Sequence, residues 1–265
     1  MKQKFFYALT LLAAWSAAAQ PKRPDLLAVV QHSSFVFTGT ILKLQASTPS
    51  IPRENGTAVV RVDEIIDATP DLRSLQGKEV TVRLLRPNAT RAGAQRIFYT
   101  EPYSYGRTLG VTEVASEEPR ERGATRREVA NARQQLRDRA LAARIRSAER
   151  IVVARVVEVR PAPEMERAAR EEASEHNPLW HIARLAVSET LKGERSAEAV
   201  VRFAASRDVM WFGTPKLAVG QQVIVLMQPN PIKEFPTRGP IVIDPLDVQE
   251  LSQRERVGLL LRAQQ

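Results

Sequence analysis

Few side chains in this chain could carry acid–base or metal chemistry near neutral pH: three histidines, His32, His176 and His181, and no cysteine. No two histidines stand in a His-x-x-x-His or His-Glu-x-x-His pair, the spacings that place two imidazoles on one helix face around a metal. His176 and His181 flank Pro178 and Trp180 and could meet in space, but a zinc site there would lack its remaining ligands. Without a thiol, a nucleophile would be a Ser or Thr with a histidine base, and neither a Gly-x-Ser-x-Gly elbow nor a Ser-x-x-Lys motif nor a phosphate loop occurs. The carboxylate pairs Glu117-Glu118 and Glu171-Glu172 lie in charged stretches, where the raised pKa of a glycosidase acid is not expected. Asn55-Gly56-Thr57 and Asn88-Ala89-Thr90 fit glycosylation sequons, which matter only in a eukaryotic secretory route. The sequence therefore assigns no catalytic residue, no metal ligand and no cofactor.

What remains is aromatic and basic. Tyr99, Tyr103 and Tyr105 cluster, with Pro102 and Gly106 expected to break the strand that carries them. Further on, Trp180 opens a strand, and Trp211-Phe212-Gly213-Thr214-Pro215 forms an aromatic loop ahead of Lys216. Loop aromatics of this kind stack on sugars or anchor a protein partner, or else plug the ends of a barrel. The charge excess is concentrated: Pro119 to Arg150 holds ten arginines against Glu121, Glu128, Asp138 and Glu149. That run reads as a solvated helix face or as a docking surface for an anionic glycan, lipid headgroup or acidic partner. No aromatic residue interleaves it, so nucleic acid is not expected.

The elements that would position these residues begin after an export signal. Lys2 and Lys4, an uncharged apolar run from Phe5 to Trp15, and small Ala17 and Ala19 predict a signal peptide over 1–19, cleaved before Gln20. The run is too short to span about 30 Å of hydrocarbon, and no transmembrane segment is expected in the mature chain. With no cysteine there can be no disulfide, so an exported product must be held by its core alone.

Behind the signal the sequence reads as one unit written twice. The strand phrase Phe35 to Leu44 returns as Ile151 to Val159, Val62–Ala68 as Val187–Gly193, Val80–Leu84 as Ala199–Phe203, and Gly93–Tyr99 as Gly220–Leu226. Val, Ile, Phe and Thr dominate these runs and turn residues bound them. A fifth strand is expected near Thr108–Val114 and Ile241–Ile243, and Asn55-Gly56 as a hairpin turn between the first two strands. Five short strands per copy imply a closed or nearly closed barrel. The reading is mainly β with minor α: a first barrel over 24–116, an arginine-rich amphipathic helix over 119–148, and a second barrel over 149–265. Val129, Ala132, Leu136, Ala140 and Ala143 form the expected apolar stripe of the helix, and the second copy carries an acidic insertion over 161–178. Val257 to Leu261 reads as a short helix sealing the second barrel.

The phrases Ser34 to Ile41 and Val60 to Ile66, followed by a strand and a Gly-x-x-x-Ile/Val element, resemble the OB-type barrel of netrin-like modules. That fold is shared by tissue inhibitors of metalloproteinases and by uncharacterised exported bacterial proteins. The resemblance implies a five-stranded binding barrel over roughly 24–115 and again over 140–248. The animal inhibitors bind the protease zinc through an N-terminal cysteine, which this chain lacks, so their mechanism is not implied. The expectation is an exported, non-catalytic binding protein of the periplasm or cell exterior with a protein or glycan partner. Its candidate contacts are Tyr99, Tyr103, Tyr105, Trp180, Trp211 and Phe212. The alternatives are a hydrolase with a site between the barrels, using His181, and a structural component of an envelope assembly.

Overall fold

The computed structural model describes residues 25–163, 176–230 and 239–264, and the chain divides into two compact units between Ala132 and Arg133, inside one helix. The expected export signal and residues 164–175 of the acidic insertion lie outside the described residues.

The first unit runs α1 (Leu26–Gln31), β1 (Phe35–Leu44), β2 (Thr57–Ala68), β3 (Glu79–Arg83), β4 (Gln95–Tyr105) and β5 (Thr108–Glu117). The strands close into a barrel in the order β1-β2-β3-β5-β4, compatible with an OB-like barrel. Every pairing is antiparallel except β3 with β5, where Thr81, Val82 and Arg83 oppose Gly110, Val111 and Thr112 in parallel. Side-chain alternation explains the core. Phe35, Phe37 and Ile41 of β1, Ala58, Val60 and Val62 of β2, Val80 and Val82 of β3, Phe98 and Val111 all fall on the inner face and are buried together. Phe37 stacks between Phe35 and Phe98, at centroid distances of 4.6 and 5.3 Å. Gly39 shares that face, and a Cβ there would lie 2.7 Å from Val60 Cγ1 and 2.8 Å from the Phe37 ring, so only glycine fits.

The second unit contains β6 (Arg150–Pro161), β7 (Trp180–Lys192), β8 (Glu198–Ala204), β9 (Gln222–Met227), β10 (Ile241–Val242) and β11 (Val248–Glu250). They form a curled, six-stranded half-barrel in the order β10-β8-β7-β6-β9-β11. The pairing repeats that of the first unit. β1 slips register between Val36/Phe37, Thr38/Gly39 and Ile41/Lys43, and β6 slips between Ile151/Val152, Val153/Ala154 and Val156/Glu158, at the same intervals. Ile41 exchanges backbone hydrogen bonds with Gly93 and Ala94 as Val156 does with Gly220 and Gln221. β10 is parallel to β8, as β5 is to β3, and β11 is antiparallel to β9, as β5 is to β4. A single fifth strand is thus split in two, and between the pieces Pro245–Asp247 makes a 3-10 turn.

The buried Asp247 holds that break in place. Its carboxylate accepts from Arg144 Nε at 2.8 Å and Nη2 at 2.7 Å, from Gln228 Nε2 at 3.0 Å, and from the backbone N–H groups of Ile243 and Asp244. Arg144 belongs to α2 (Arg122–Ser147), so one carboxylate ties the helix to β9 and to the broken strand.

α2 differs from the single apolar stripe expected of it. Its first half buries Thr125, Val129 and Ala132, whereas its second half buries Leu141 and Ile145, and Ala140 and Ala143 are exposed. At about 100° per residue the two stripes lie on nearly opposite sides of the helix. The second stripe packs with Ile151, Ile224 and Leu226 on the outer face of β6 and β9, and Val257 of α3 (Arg254–Arg262) completes that cluster. α3 therefore covers the outside of the sheet rather than sealing a barrel end.

Two local expectations are also corrected. Twelve residues separate β1 from β2, and Asn55-Gly56 is only the last turn of that loop, so it does not form a tight hairpin. Pro102 does not break β4: it pairs with Val111, beyond the reach of β1, whose pairing to β4 ends at Thr100. On that open edge a missing N–H costs no ladder bond.

Removing the Asp247 carboxylate strands Arg144 and three other donors. Asp247→Ala is expected to destabilise the second unit by about 3 kcal/mol or more. The check is urea denaturation of a chain spanning 20–265, which omits Trp15, followed by tryptophan emission; it reports this unit because Trp180 and Trp211 both lie in it.

Candidate functional site

The six aromatics expected to form contacts separate by burial. Tyr99 is a core residue, 1% exposed, and its hydroxyl donates to Glu117 Oε1 at 2.9 Å. Glu117 in turn pairs with Arg120, which also reaches Glu128, so Tyr99 anchors the start of α2 instead of facing a ligand. Burial first, and then the neighbouring Glu117 charge, push the Tyr99 phenol far above its usual range. Tyr103 lies across from Gly110, and a Cβ on Gly110 would fall 2.4 Å from its ring. The Arg83 guanidinium sits over the Tyr103 ring, 4.3 Å from its centroid, and is paired with Glu54. Tyr103 thus fills the gap that a strand glycine leaves, and burial raises its phenol pKa. Tyr105 is half-exposed at the Tyr105–Thr108 hairpin, where Gly106 adopts φ +57°.

In the second unit Trp180 is buried, with Ala162, Ile182, Ala204 and Ile241 around it. Trp211 stands edge-on to it at 5.7 Å and is partly covered, while Phe212 is 78% exposed. Sequence reasoning missed their neighbours: Val209 is 82% and Met210 65% exposed. The signal was there to read, because Val209-Met210-Trp211-Phe212 is an uninterrupted apolar run between Asp208 and Gly213. Such a run on a surface is a fault unless it has a use.

Polar residues hold this loop open. Asp208 accepts from the Met210 N–H at 2.8 Å and pairs with His176 Nδ1 at 3.2 Å. The Met210 bond, helped by His176, keeps the Asp208 carboxyl below the usual carboxylate range. Trp211 Nε1 donates to the His176 carbonyl at 2.8 Å. Lys216 Nζ donates to Ala204 O, Trp211 O and Thr214 Oγ1 at 2.6–2.8 Å, closing the base of the loop, and partial burial lowers its pKa from the usual lysine value. All three ammonium donors are used, and none meets a carboxylate.

The histidines take separate roles. His176 belongs to the loop, His181 bonds the Leu179 carbonyl at 2.8 Å and lies against Phe203, and His32 is exposed beside α1. Among the described residues no group of three or more His, Asp or Glu could hold a metal ion, and no helix is long and apolar enough to cross a membrane. The arginine run is largely engaged internally: Arg120 with Glu117 and Glu128, Arg126 with Glu64 and the Ile65 carbonyl, Arg144 with Asp247, and Arg150 with backbone oxygens of Ser196 and Glu198. Arg127, Arg139 and Arg146 remain exposed.

No protein-family model matches the chain, and no curated protein matches it closely enough to indicate a relative.

The loop geometry predicts that Lys216→Met loosens residues 204–216 without unfolding the sheet. The expected signs are new proteolytic cleavage after Arg207 and a red shift of Trp211 emission, with an unchanged far-UV spectrum. The pKa of Tyr99 is raised in the folded state, so its contribution to stability is intact below the ordinary phenol pKa and is lost as pH rises toward the folded value. Absorbance titration at alkaline pH should show a late tyrosine step that disappears in Tyr99→Phe.

Proposed function

We propose that this chain is an exported, non-catalytic binding protein built of two tandem OB-like barrels of netrin-like type, acting in the periplasm or at the cell exterior. One observation carries the reading: Val209, Met210 and Phe212 stand 65–82% exposed on a loop fixed by Lys216, Asp208 and the two tryptophans. Apolar side chains left in water on a mobile tail signify little. On a braced backbone they are pre-organised anchors, and binding through them loses little conformational entropy.

Of the aromatic set, Trp211 and Phe212 are the contact residues, with Tyr105 a lesser surface on the first unit. Trp211 also supports the loop, so the clean probe is Phe212, whose side chain is 78% exposed. Phe212→Ala should leave thermal stability unchanged and weaken capture of the partner from an envelope fraction by about tenfold or more, as a central hot spot does. Unchanged capture would remove this loop as the contact surface.

A further inference from the structure

The apolar tip of the second unit says more about its occupant than that one exists. We infer that loop 207–216 docks on an anionic phospholipid bilayer, with Val209, Met210 and Phe212 entering the headgroup region. The inference rests on the binding reading above and names what is bound.

Three features select a bilayer over other occupants. The first is area: three protruding side chains offer on the order of a few hundred Å² of apolar surface, against about 800 Å² per partner in a stable protein–protein interface. A convex tip of that size suits a deformable interface better than a matching protein face. The second is chemistry. Between Asp208 and Thr214 no side chain offers a hydrogen bond outward, since Trp211 Nε1 is committed to the His176 carbonyl and Thr214 Oγ1 to Trp211 O. A sugar would find aromatic surface but nothing to read its hydroxyls, whereas aromatic and aliphatic side chains without exposed polar groups are what the lipid interface accepts.

The third feature is charge. The base of the loop carries exposed Arg207 and Lys216. Among the described residues Lys216 donates to neutral oxygens alone, while Asp208 turns its carboxylate onto the Met210 N–H and His176. An apolar tip with a basic collar complements an anionic headgroup layer, and that attraction falls with salt.

The test is flotation of the mature chain with phosphatidylcholine vesicles, with and without phosphatidylglycerol. The expected result is co-flotation with the anionic vesicles that weakens at high salt, accompanied by a blue shift of Trp211 emission. Phe212→Glu and Val209→Glu should each reduce binding about tenfold or more while keeping the parent melting temperature. Arg207→Glu should weaken binding and flatten its salt dependence. Absence of flotation overturns the inference, as does flotation undiminished in both glutamate variants, which would place the contact elsewhere, for instance on the exposed arginines of α2. If vesicles are ignored but an envelope protein is captured in a Phe212-dependent way, the bilayer is wrong and the binding reading stands. If neither vesicles nor proteins respond to Phe212, both fall.

Discussion

The first strand of each unit has to serve two neighbours at once, and its irregularities decide whether the sheet can curl. β1 pairs with β2 on one edge and β4 on the other, and β6 pairs likewise with β7 and β9. A regular strand so placed would make a flat, open sheet with two exposed edges. Three register shifts at matched positions add twist where it is needed, leaving Leu42, Asp63 and Ile66 as extra residues in one unit and Val157, Ser188 and Leu191 in the other. The extra residues are put to use: Asp63 gathers Thr40 of β1, Arg61 of β2 and Gln95 of β4 onto one carboxylate. Those hydrogen bonds outweigh the effect of burial and hold its pKa below the usual value.

The two copies then differ in how far they close. The first unit has a continuous β5 and closes through its parallel pairing with β3. The second breaks the corresponding strand at Pro245, because a proline there has no N–H for a ladder. The groups freed by the break would be unsatisfied in a buried position, and Asp247 accepts two of the N–H groups directly. Arg144 neutralises that carboxylate, which explains why one arginine of a basic helix is drawn inward while others stay in water.

Much of the fold was legible because strand periodicity is local. Alternation of Phe35, Phe37 and Ile41 or of Val223, Val225 and Met227 needs no knowledge of partners, and phrases in matching order pointed to a repeated pairing scheme. What could not be read depends on long-range neighbours. Whether Pro102 ends a strand is decided by β1 stopping at Thr100, and Asp247 looks like any loop aspartate until Arg144, 103 residues earlier, is placed beside it. The helix misled for a related reason. Its alanines fit one apolar stripe, but alanine tolerates either environment, and Leu141 and Ile145 fixed the second face. The same holds for the candidate site: aromatic identity was visible, whereas the burial that separates Tyr99 and Trp180 from Phe212 was not.

The division among the aromatics also bears on why the loop is built as it is. Left free, Val209, Met210 and Phe212 would gain by folding back onto Trp211, which already leans on Trp180. They are prevented from doing so by backbone restraints alone, since Asp208 fixes the turn at Met210 and Lys216 draws Ala204, Trp211 and Thr214 to one point. An ammonium serving three oxygens is a brace that holds only while the loop keeps its open path, so collapse would forfeit all three bonds together. The structure thus sets polar order against apolar collapse, and keeps Val209, Met210 and Phe212 in water on a braced loop.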